Sequence, residues 1–393
     1  MNSIKCWDCG LKVLDLSGLT SLAIIDIEDN PELHLIMAKD CTSLKDIKVR
    51  RCDPDAKLKL SGMTELELNN LNGMEIRELD LSGCTTLKSL HLKVPSLSDL
   101  LLAGCVNLEQ LELDQCENLK RVTSDSSILN GLMLCNHPSL KALYISFAHN
   151  LYSLNVSGSH ALESVYIENN NILQEIDLSS CTGLNEVSIK GNACLKSINM
   201  EDCLSLKDYS LIFTSNDSIK SLNLKNCRNL ETLDCSYTNL EELDISGCTA
   251  LTYLNCSRTQ IKNLDLHTCT GLQTLIAQNS QLQQLNAQGC VALTEMRCSD
   301  TKLRQLDVSG CASLTILSCS GSWLRQLDVR GLNALEELHC EDNELTELKI
   351  TGCQKLRRVV CNLNLFTTLD TRNCPMLDDL SLSTDSFVNV IWD

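Results

Sequence analysis

A spacing of 21 residues runs through the second half of the chain and limits the folds that it can adopt. A leucine recurs at this spacing without a gap over about 150 residues, which chance does not sustain. The positions are Leu230, Leu251, Leu272, Leu293, Leu314, Leu335, Leu356 and Leu377. A repeat this short cannot bury its own leucines, so neighbouring repeats must stack and bury them together.

Each unit has the form L-x-x-L-x-C-S-x-T-x-L followed by x-x-L-D-V-S-G-C-x-x-L. The first part is the strand pattern of a leucine-rich repeat. Apolar Leu254 and Cys256 alternate with polar Asn255 and Ser257, which predicts a strand with one buried face. The return, such as 264–266, is too short for a full helix and should be extended or 3₁₀. We therefore predict an α/β-type leucine-rich-repeat solenoid, mostly β, curved and right-handed, with a parallel concave sheet.

The first half shows the same architecture with looser spacing. Leucines step by 11, half of a 22-residue repeat, from Leu140 to Leu206. The pattern is irregular at 50–75, 119–132 and 206–219, where we expect bulges or longer loops, and between 87 and 119 it does not assign the half-repeats to faces. No linker composition separates the halves. The sequence predicts one domain over 1–393, with irregular repeats at 1–229, regular repeats at 230–393 and roughly 17 to 18 coils.

The 24 cysteines follow the repeat instead of a disulfide spacing. One column contains Cys235, Cys256, Cys298, Cys319, Cys340 and Cys361, and a second contains Cys248, Cys269, Cys290, Cys311, Cys353 and Cys374. Ala277, Leu332 and Leu382 stand at equivalent positions. A small buried hydrophobe tolerates such replacement, whereas a metal ligand does not. We expect all cysteines to be thiols, with Cys6 at a buried strand position and Cys9 at a turn.

Two polar columns also have structural explanations. Hydroxyl and amide side chains should bond backbone groups that the tight bend leaves unpaired. This turn column is Thr238, Thr259, Ser280, Thr301, Ser322, Asn343 and Asn364. The return carries a second column, Asp244, Asp265, Asp307, Asp328 and Asp370. We interpret these carboxylates as a solvated row that bonds the loops, because the Gly-rich calcium loops of cation-binding solenoids are missing.

Charge and motifs exclude several classes of function. A net charge of −18 and a pI near 4.8 argue against nucleic-acid partners, which require a basic face, and against anionic membranes. No run of about 18 apolar residues predicts a membrane span. No nucleophile, P-loop or metalloprotease motif appears. We expect no enzyme activity, no cofactor and no metal. The N-terminal segment lacks a signal-peptide pattern, so a complete chain would be cytoplasmic and an excised region would be cell-surface or secreted.

The alternating L-x-x-L-x-C-S-x-T/N-x-L and L-x-x-L-D-V-S patterns resemble the cysteine-type leucine-rich repeats of internalin J and related bacterial proteins. Residues 230–380 resemble them closely, as in 251–257. The resemblance implies a core cysteine ladder and a concave sheet used in adhesion or as a recognition surface. Residues 79–85 also resemble repeats of plant immune receptors.

The favoured function is a protein-binding scaffold or signalling adaptor that uses the concave sheet, and we expect a monomer. Alternatives are a bacterial surface adhesin for a host protein or glycan, and the sensor region of an intracellular immune-type receptor. Exposed aromatic, apolar and arginine side chains on a sheet favour an interface. The predicted partner-binding residues are Tyr237, Tyr253, Ile276, Arg297, Ile316, His339 and Arg358.

Overall fold

The protein, seen in a computed structural model, is a stack of short coils built from parallel strands. The described residues are 2–63, 71, 74–105, 107–108, 110–119, 121–123, 131–137, 139–148, 151–207, 211–212 and 216–393, and no helix occurs among them. No described segment is therefore a helix that could cross a membrane. The chain divides into two compact units: unit 1 covers 1–203 and 210–218, and unit 2 covers 204–209 and 219–393. The single domain, the curvature and the right-handed coil stay predictions.

Each coil has two sides, which we call the strand side and the return side. In unit 1 the strand side forms two sheets, and the return side forms one ladder. The three-stranded sheet contains β1 (Ser3–Trp7), β3 (Ile24–Asn30) and β5 (Asp46–Cys52). The six-stranded sheet contains β8 (Ser89–Leu92), β10 (Gln110–Asp114), β13 (Ala142–Ser146), β15 (Ser164–Glu168), β17 (Glu186–Lys190) and β19 (Leu211–Ile212). The return ladder runs through β2 (Val13–Asp15), β4 (Leu35–Met37), β6 (Lys57–Lys59), β7 (Glu78–Asp80), β9 (Asp99–Leu101), β11 (Arg121–Thr123), β12 (Gly131–Met133), β14 (Ser153–Asn155), β16 (Glu175–Asp177) and β18 (Ser197–Asn199).

Unit 2 has one continuous sheet on its strand side and an interrupted ladder on its return side. The eight-stranded sheet contains β21 (Thr232–Asp234), β23 (Tyr253–Asn255), β25 (Thr274–Ile276), β27 (Glu295–Arg297), β28 (Ile316–Ser318), β30 (Glu337–His339), β32 (Arg358–Val360) and β34 (Leu382–Ser383). The return pairs are β20 (Ser221–Asn223) with β22 (Glu242–Asp244), β24 (Asn263–Asp265) with β26 (Gln284–Asn286), β29 (Gln326–Asp328) with β31 (Glu347–Lys349), and β33 (Thr368–Asp370) with β35 (Asn389–Ile391).

The register of the eight-stranded sheet explains why the leucines recur every 21 residues. All of its pairs are parallel, and Leu254 lies opposite Leu275, which lies opposite Met296. These three side chains are fully buried, so each coil covers the apolar face of the next. The predicted strand and extended return are therefore confirmed.

The structure also assigns the half-repeats that the sequence left open between 87 and 119. Strands β8 and β10 belong to the six-stranded sheet, and β9 belongs to the return ladder. The bulges or loops expected at 50–75, 119–132 and 206–219 stay predictions, since 64–70, 72–73, 120, 124–130, 208–210 and 213–215 lie outside the described residues.

The cysteine columns lie in the core, as predicted. Burial raises the pKa of Cys256 to about 12 and that of Cys269 to about 11, so both stay protonated thiols at neutral pH. The second column has a role that the sequence did not reveal. The Cys248 thiol donates to the carbonyl of Leu224 at 3.2 Å, which lies one coil back. Thiols at this position therefore satisfy return-side carbonyls as well as fill space.

One expectation about the cysteines was wrong. Cys6 and Cys9 form a disulfide, with Cα atoms 6.1 Å apart. Cys6 does occupy a buried strand position, and Cys9 follows the bend at Asp8. The turn itself brings them together, because Asp8 adopts a left-handed φ of 50° and folds the chain back at the end of β1. The other 22 cysteines are free, and among them Cys194 is exposed.

The turn and aspartate columns act as predicted. The Thr259 hydroxyl donates to the carbonyl of Cys256 at 2.8 Å, and the Asn343 amide donates to the carbonyl of Cys319 at 3.0 Å. On the return, Asp307 accepts the N–H of Ser309 at 3.0 Å. Hydrogen bonding to the charged form lowers the pKa of Asp307, consistent with a loop-bonding carboxylate.

Candidate recognition surface on the eight-stranded sheet

The outer face of the eight-stranded sheet presents two parallel columns of side chains, which we call the recognition face. Strand alternation buries the central residue of each three-residue strand and turns its two neighbours outward. The first column is Thr232, Tyr253, Thr274, Glu295, Ile316, Glu337 and Arg358, and the second is Asp234, Asn255, Ile276, Arg297, Ser318, His339 and Val360. Neighbouring residues within a column are roughly 4.8 Å apart along the ladder.

Six of the seven predicted residues lie on this face. Tyr253, Ile316 and Arg358 belong to the first column, and Ile276, Arg297 and His339 belong to the second. Tyr253 and Ile276 occupy adjacent strands, so their side chains are diagonal neighbours within reach of one another.

Tyr237 lies off the sheet, contrary to its grouping with the other predicted residues. It follows β21 in a turn, has a left-handed φ of 57° and is 76% exposed. The Arg258 guanidinium carbon lies 5.2 Å from the centre of its ring, a cation–π contact. Tyr237 therefore belongs to the edge of the coil and not to the recognition face.

Carboxylates on the same strands lie against two of the predicted residues. The Arg297 guanidinium pairs with Glu295, and His339 Nε2 lies 3.6 Å from Glu337. Both pairs are between residues two apart, which a strand places on one face. The recognition face is therefore a mixed surface in which ion pairs alternate with apolar side chains.

Tyr253 is the amphipathic element of this face. Partial burial, together with the charge of Asp234, raises the pKa of its phenol, so the hydroxyl is a neutral donor at physiological pH. With Ile276 and Ile316 it supplies apolar area next to a hydrogen-bonding group, the combination enriched at interface hot spots.

An aromatic pair that was not predicted from the sequence lies on the six-stranded sheet. Tyr144 and Tyr166 stack with ring centres 4.7 Å apart and planes at 4°. A hydrogen bond to Glu186 raises the pKa of Tyr166 to about 12. Along the same column, His91 Nδ1 lies 2.6 Å from Glu112. The signal was the spacing of 22 between the two tyrosines, which equals the repeat length of this half.

Nothing in the described part of the chain forms a cluster of three or more His, Cys, Asp or Glu side chains that could hold a metal ion. Several return-side carboxylates are instead paired with cations, as in the Asp328–Arg330 pair at 2.7 Å.

Comparison with known proteins gives likenesses among solved structures only. No protein-family model matches the chain, and no curated protein matches it. The functional domain of InlJ from Listeria monocytogenes, described as including a cysteine ladder, is 24% identical, with a TM-score of 0.36 over 72% of this chain. The match spans 64% of that domain, less than two thirds of its length.

Two further structures are similar at lower identity. A leucine-rich-repeat protein from Leptospira interrogans is 18% identical, with a TM-score of 0.35 over 78% of this chain and 92% of its own. YopM from Yersinia enterocolitica is 16% identical, with a TM-score of 0.36 over all of this chain and 91% of its own. The 21-residue repeat and the parallel ladders of the chain itself show a parallel-strand β-solenoid whose repeats carry a leucine-rich pattern.

Proposed function

We propose that the chain is a non-enzymatic recognition module that binds a protein partner through the recognition face. The observation that carries the proposal is the set of half-buried apolar side chains, Tyr253, Ile276 and Ile316, on the outer face of the continuous eight-stranded sheet. The apolar area that these side chains leave exposed is removed from water only when a partner covers it, and that burial favours binding.

The ion pairs define the kind of partner that fits. Glu295–Arg297 and Glu337–His339 border Ile316 on adjacent strands. Side chains that are already paired with a neighbour on the same strand lose little conformational freedom on binding. This lowers the entropic cost of association. The face therefore suits a folded protein with an apolar projection and a mixed polar rim.

The experiment uses a photo-crosslinking amino acid at position 316 in the full chain. A partner protein, identified by mass spectrometry, should be crosslinked to the chain when the crosslinker is at position 316. No partner should be crosslinked when it is at position 291. Val291 is 57% exposed but belongs to a turn after β26, so it provides a matched control for an exposed aliphatic site.

The crosslinked partner is then purified, and its affinity is measured by calorimetry. Tyr253→Ala with Ile316→Ala should weaken binding by at least about 30-fold, since a hot-spot residue contributes about 2 kcal/mol or more. The control variant Val291→Ala should bind normally. Equal crosslinking from both positions, or an unchanged affinity in the double variant, would rule out the recognition face as the binding site.

A further inference from the structure

The return ladder of unit 2 is interrupted, whereas the eight-stranded sheet that carries the recognition face is continuous. Strand β26 pairs only with β24, and β29 pairs only with β31, so segment 305–307 between them belongs to neither ladder. An open cleft of about 650 Å³ lies beside this segment, within the roughly 300–1,000 Å³ of typical ligand sites. We call it the return cleft.

A tryptophan and an arginine form one wall of the return cleft. Trp323 is 44% exposed, and the Arg304 guanidinium carbon lies 5.8 Å from the centre of a Trp323 ring. One face of the indole is thus covered by a cation. The remaining exposed indole surface offers an apolar platform for the C–H groups of a ligand.

The opposite wall consists of glutamines. Gln283 and Gln284 come from the edge of β26, and Gln305 comes from the unpaired segment. Within the described residues, their side-chain amides have no hydrogen-bond partner. An amide both donates and accepts, which matches the hydroxyl groups of a sugar.

The charge of the return cleft is opposite to that of the protein as a whole. The chain has a net charge of −18, yet the lining contains Lys302 and Arg304 against one carboxylate, Asp307. Asp307 is engaged with the backbone N–H of Ser309, and neither cation forms an ion pair with a carboxylate of the described chain. Two unneutralised cations beside a free indole surface select a ligand with negative charge.

Two backbone hydrogen bonds exclude an inserted peptide strand. Lys302 N donates to the carbonyl of Leu282 at 2.9 Å, and Trp323 N donates to the carbonyl of Leu303 at 3.0 Å. Consecutive coils therefore stay in direct contact next to the cleft, and a further strand has no room between them. A ligand must lie over the opening and interact through side chains.

We propose that the return cleft binds an oligosaccharide that carries carboxylate groups. Sugar rings pack on Trp323, the glutamine amides bond the hydroxyl groups, and Lys302 and Arg304 bind the carboxylates. This site is separate from the recognition face and does not depend on the function proposed for it.

The test is calorimetry on the full chain with uronate tetrasaccharides from alginate and hyaluronan. Cellotetraose serves as the neutral sugar, and tetraglutamate as the acidic peptide. We expect a uronate tetrasaccharide to bind at least tenfold more tightly than either of these. The variant Arg304→Gln with Trp323→Ala should lose at least tenfold in affinity for it.

The matched control removes the same two residue types from unit 1, as Trp7→Ala with Arg50→Gln. Trp7 is 61% exposed and Arg50 is exposed as well, so neither change alters a core. This control should bind the uronate normally, and circular dichroism should show both variants folded. A lack of uronate binding, equal binding of cellotetraose or tetraglutamate, or an affinity that survives Arg304→Gln with Trp323→Ala would each overturn the proposal.

Discussion

At equivalent turns, unit 1 has asparagine at 170 and 192, whereas unit 2 has hydroxyl residues from Thr238 to Ser322 and asparagine only in its later coils, at 343 and 364. In unit 1, the Asn192 amide donates to the carbonyl of Ile167, one coil back, at 3.1 Å, and its oxygen accepts from Asn170 N at 3.0 Å. In unit 2, the Thr259 hydroxyl donates to Cys256 of its own coil at 2.8 Å. The asparagine therefore connects neighbouring coils, whereas the threonine closes only its own turn. Coils of similar shape can thus differ in how strongly they are coupled.

The largest expected effect tests whether damage in unit 2 stays there. Leu275 is fully buried between Leu254 and Met296. Leu275→Ala should cost about 2–5 kcal/mol through lost burial and the cavity that remains. Leu275→Asp should cost more, because it buries an unpaired charge. Limited proteolysis should cut first at 265–290 and leave unit 1 as a fragment, while simultaneous digestion of both units would contradict nearest-neighbour stability.

The next effect compares the two kinds of turn side chain directly. Asn192→Ala leaves the N–H of Asn170 and a carbonyl acceptor of Ile167 without this partner, at roughly 1–3 kcal/mol for each buried group. Thr259→Ala should cost less, about 1–3 kcal/mol in total, since only one buried group, the carbonyl of Cys256, loses this partner. Denaturant unfolding measures both values, and equal costs would show that bonds between coils add no coupling.

A smaller expected effect is a difference in thiol reactivity between the two units. Unit 1 contains the exposed Cys194 and the half-buried Cys135, while every free cysteine of unit 2 is buried. Burial raises the pKa of Cys298 to about 12, which leaves almost no reactive thiolate. A thiol reagent at neutral pH should label Cys194 first and nothing in unit 2, as peptide mapping would show. After denaturation without reductant, the label count should approach 22, because Cys6 and Cys9 are bonded.

The smallest effect is a pH dependence that belongs to unit 1. His137 is buried, its Nδ1 has no hydrogen-bond partner, and burial lowers its pKa below the usual 6.5. Above pH 6.5 the imidazole is neutral in both the folded and the unfolded chain, so it carries no penalty. As the pH falls below 6.5, only the unfolded chain takes up the proton, and unit 1 loses stability until the pH reaches the lowered pKa. His137→Gln should flatten this part of the stability profile in thermal melts, and an unchanged slope would exclude His137 as its origin.

The sequence was sufficient for the strand positions, the buried columns and the turn bonds of unit 2. Each of these depends only on residue type and a fixed spacing, as Leu254 and Thr259 illustrate. The Cys248 thiol bond to Leu224 and the Cys6–Cys9 disulfide were not predictable in this way, because both depend on where the backbone turns. The return cleft was also missed, because the pattern at 305–307 matches its neighbours while its ladder is unpaired.

The uninterrupted parallel register of the eight-stranded sheet has a mechanical consequence. A load that pulls the last strand away from its neighbour acts on one strand pair at a time, since each strand bonds only to the adjacent ones. Unit 2 should therefore yield by peeling, with a series of small, similar force steps and no single large rupture. Each step would free one 21-residue coil, or about 70 Å of extended chain at roughly 3.3–3.6 Å per residue.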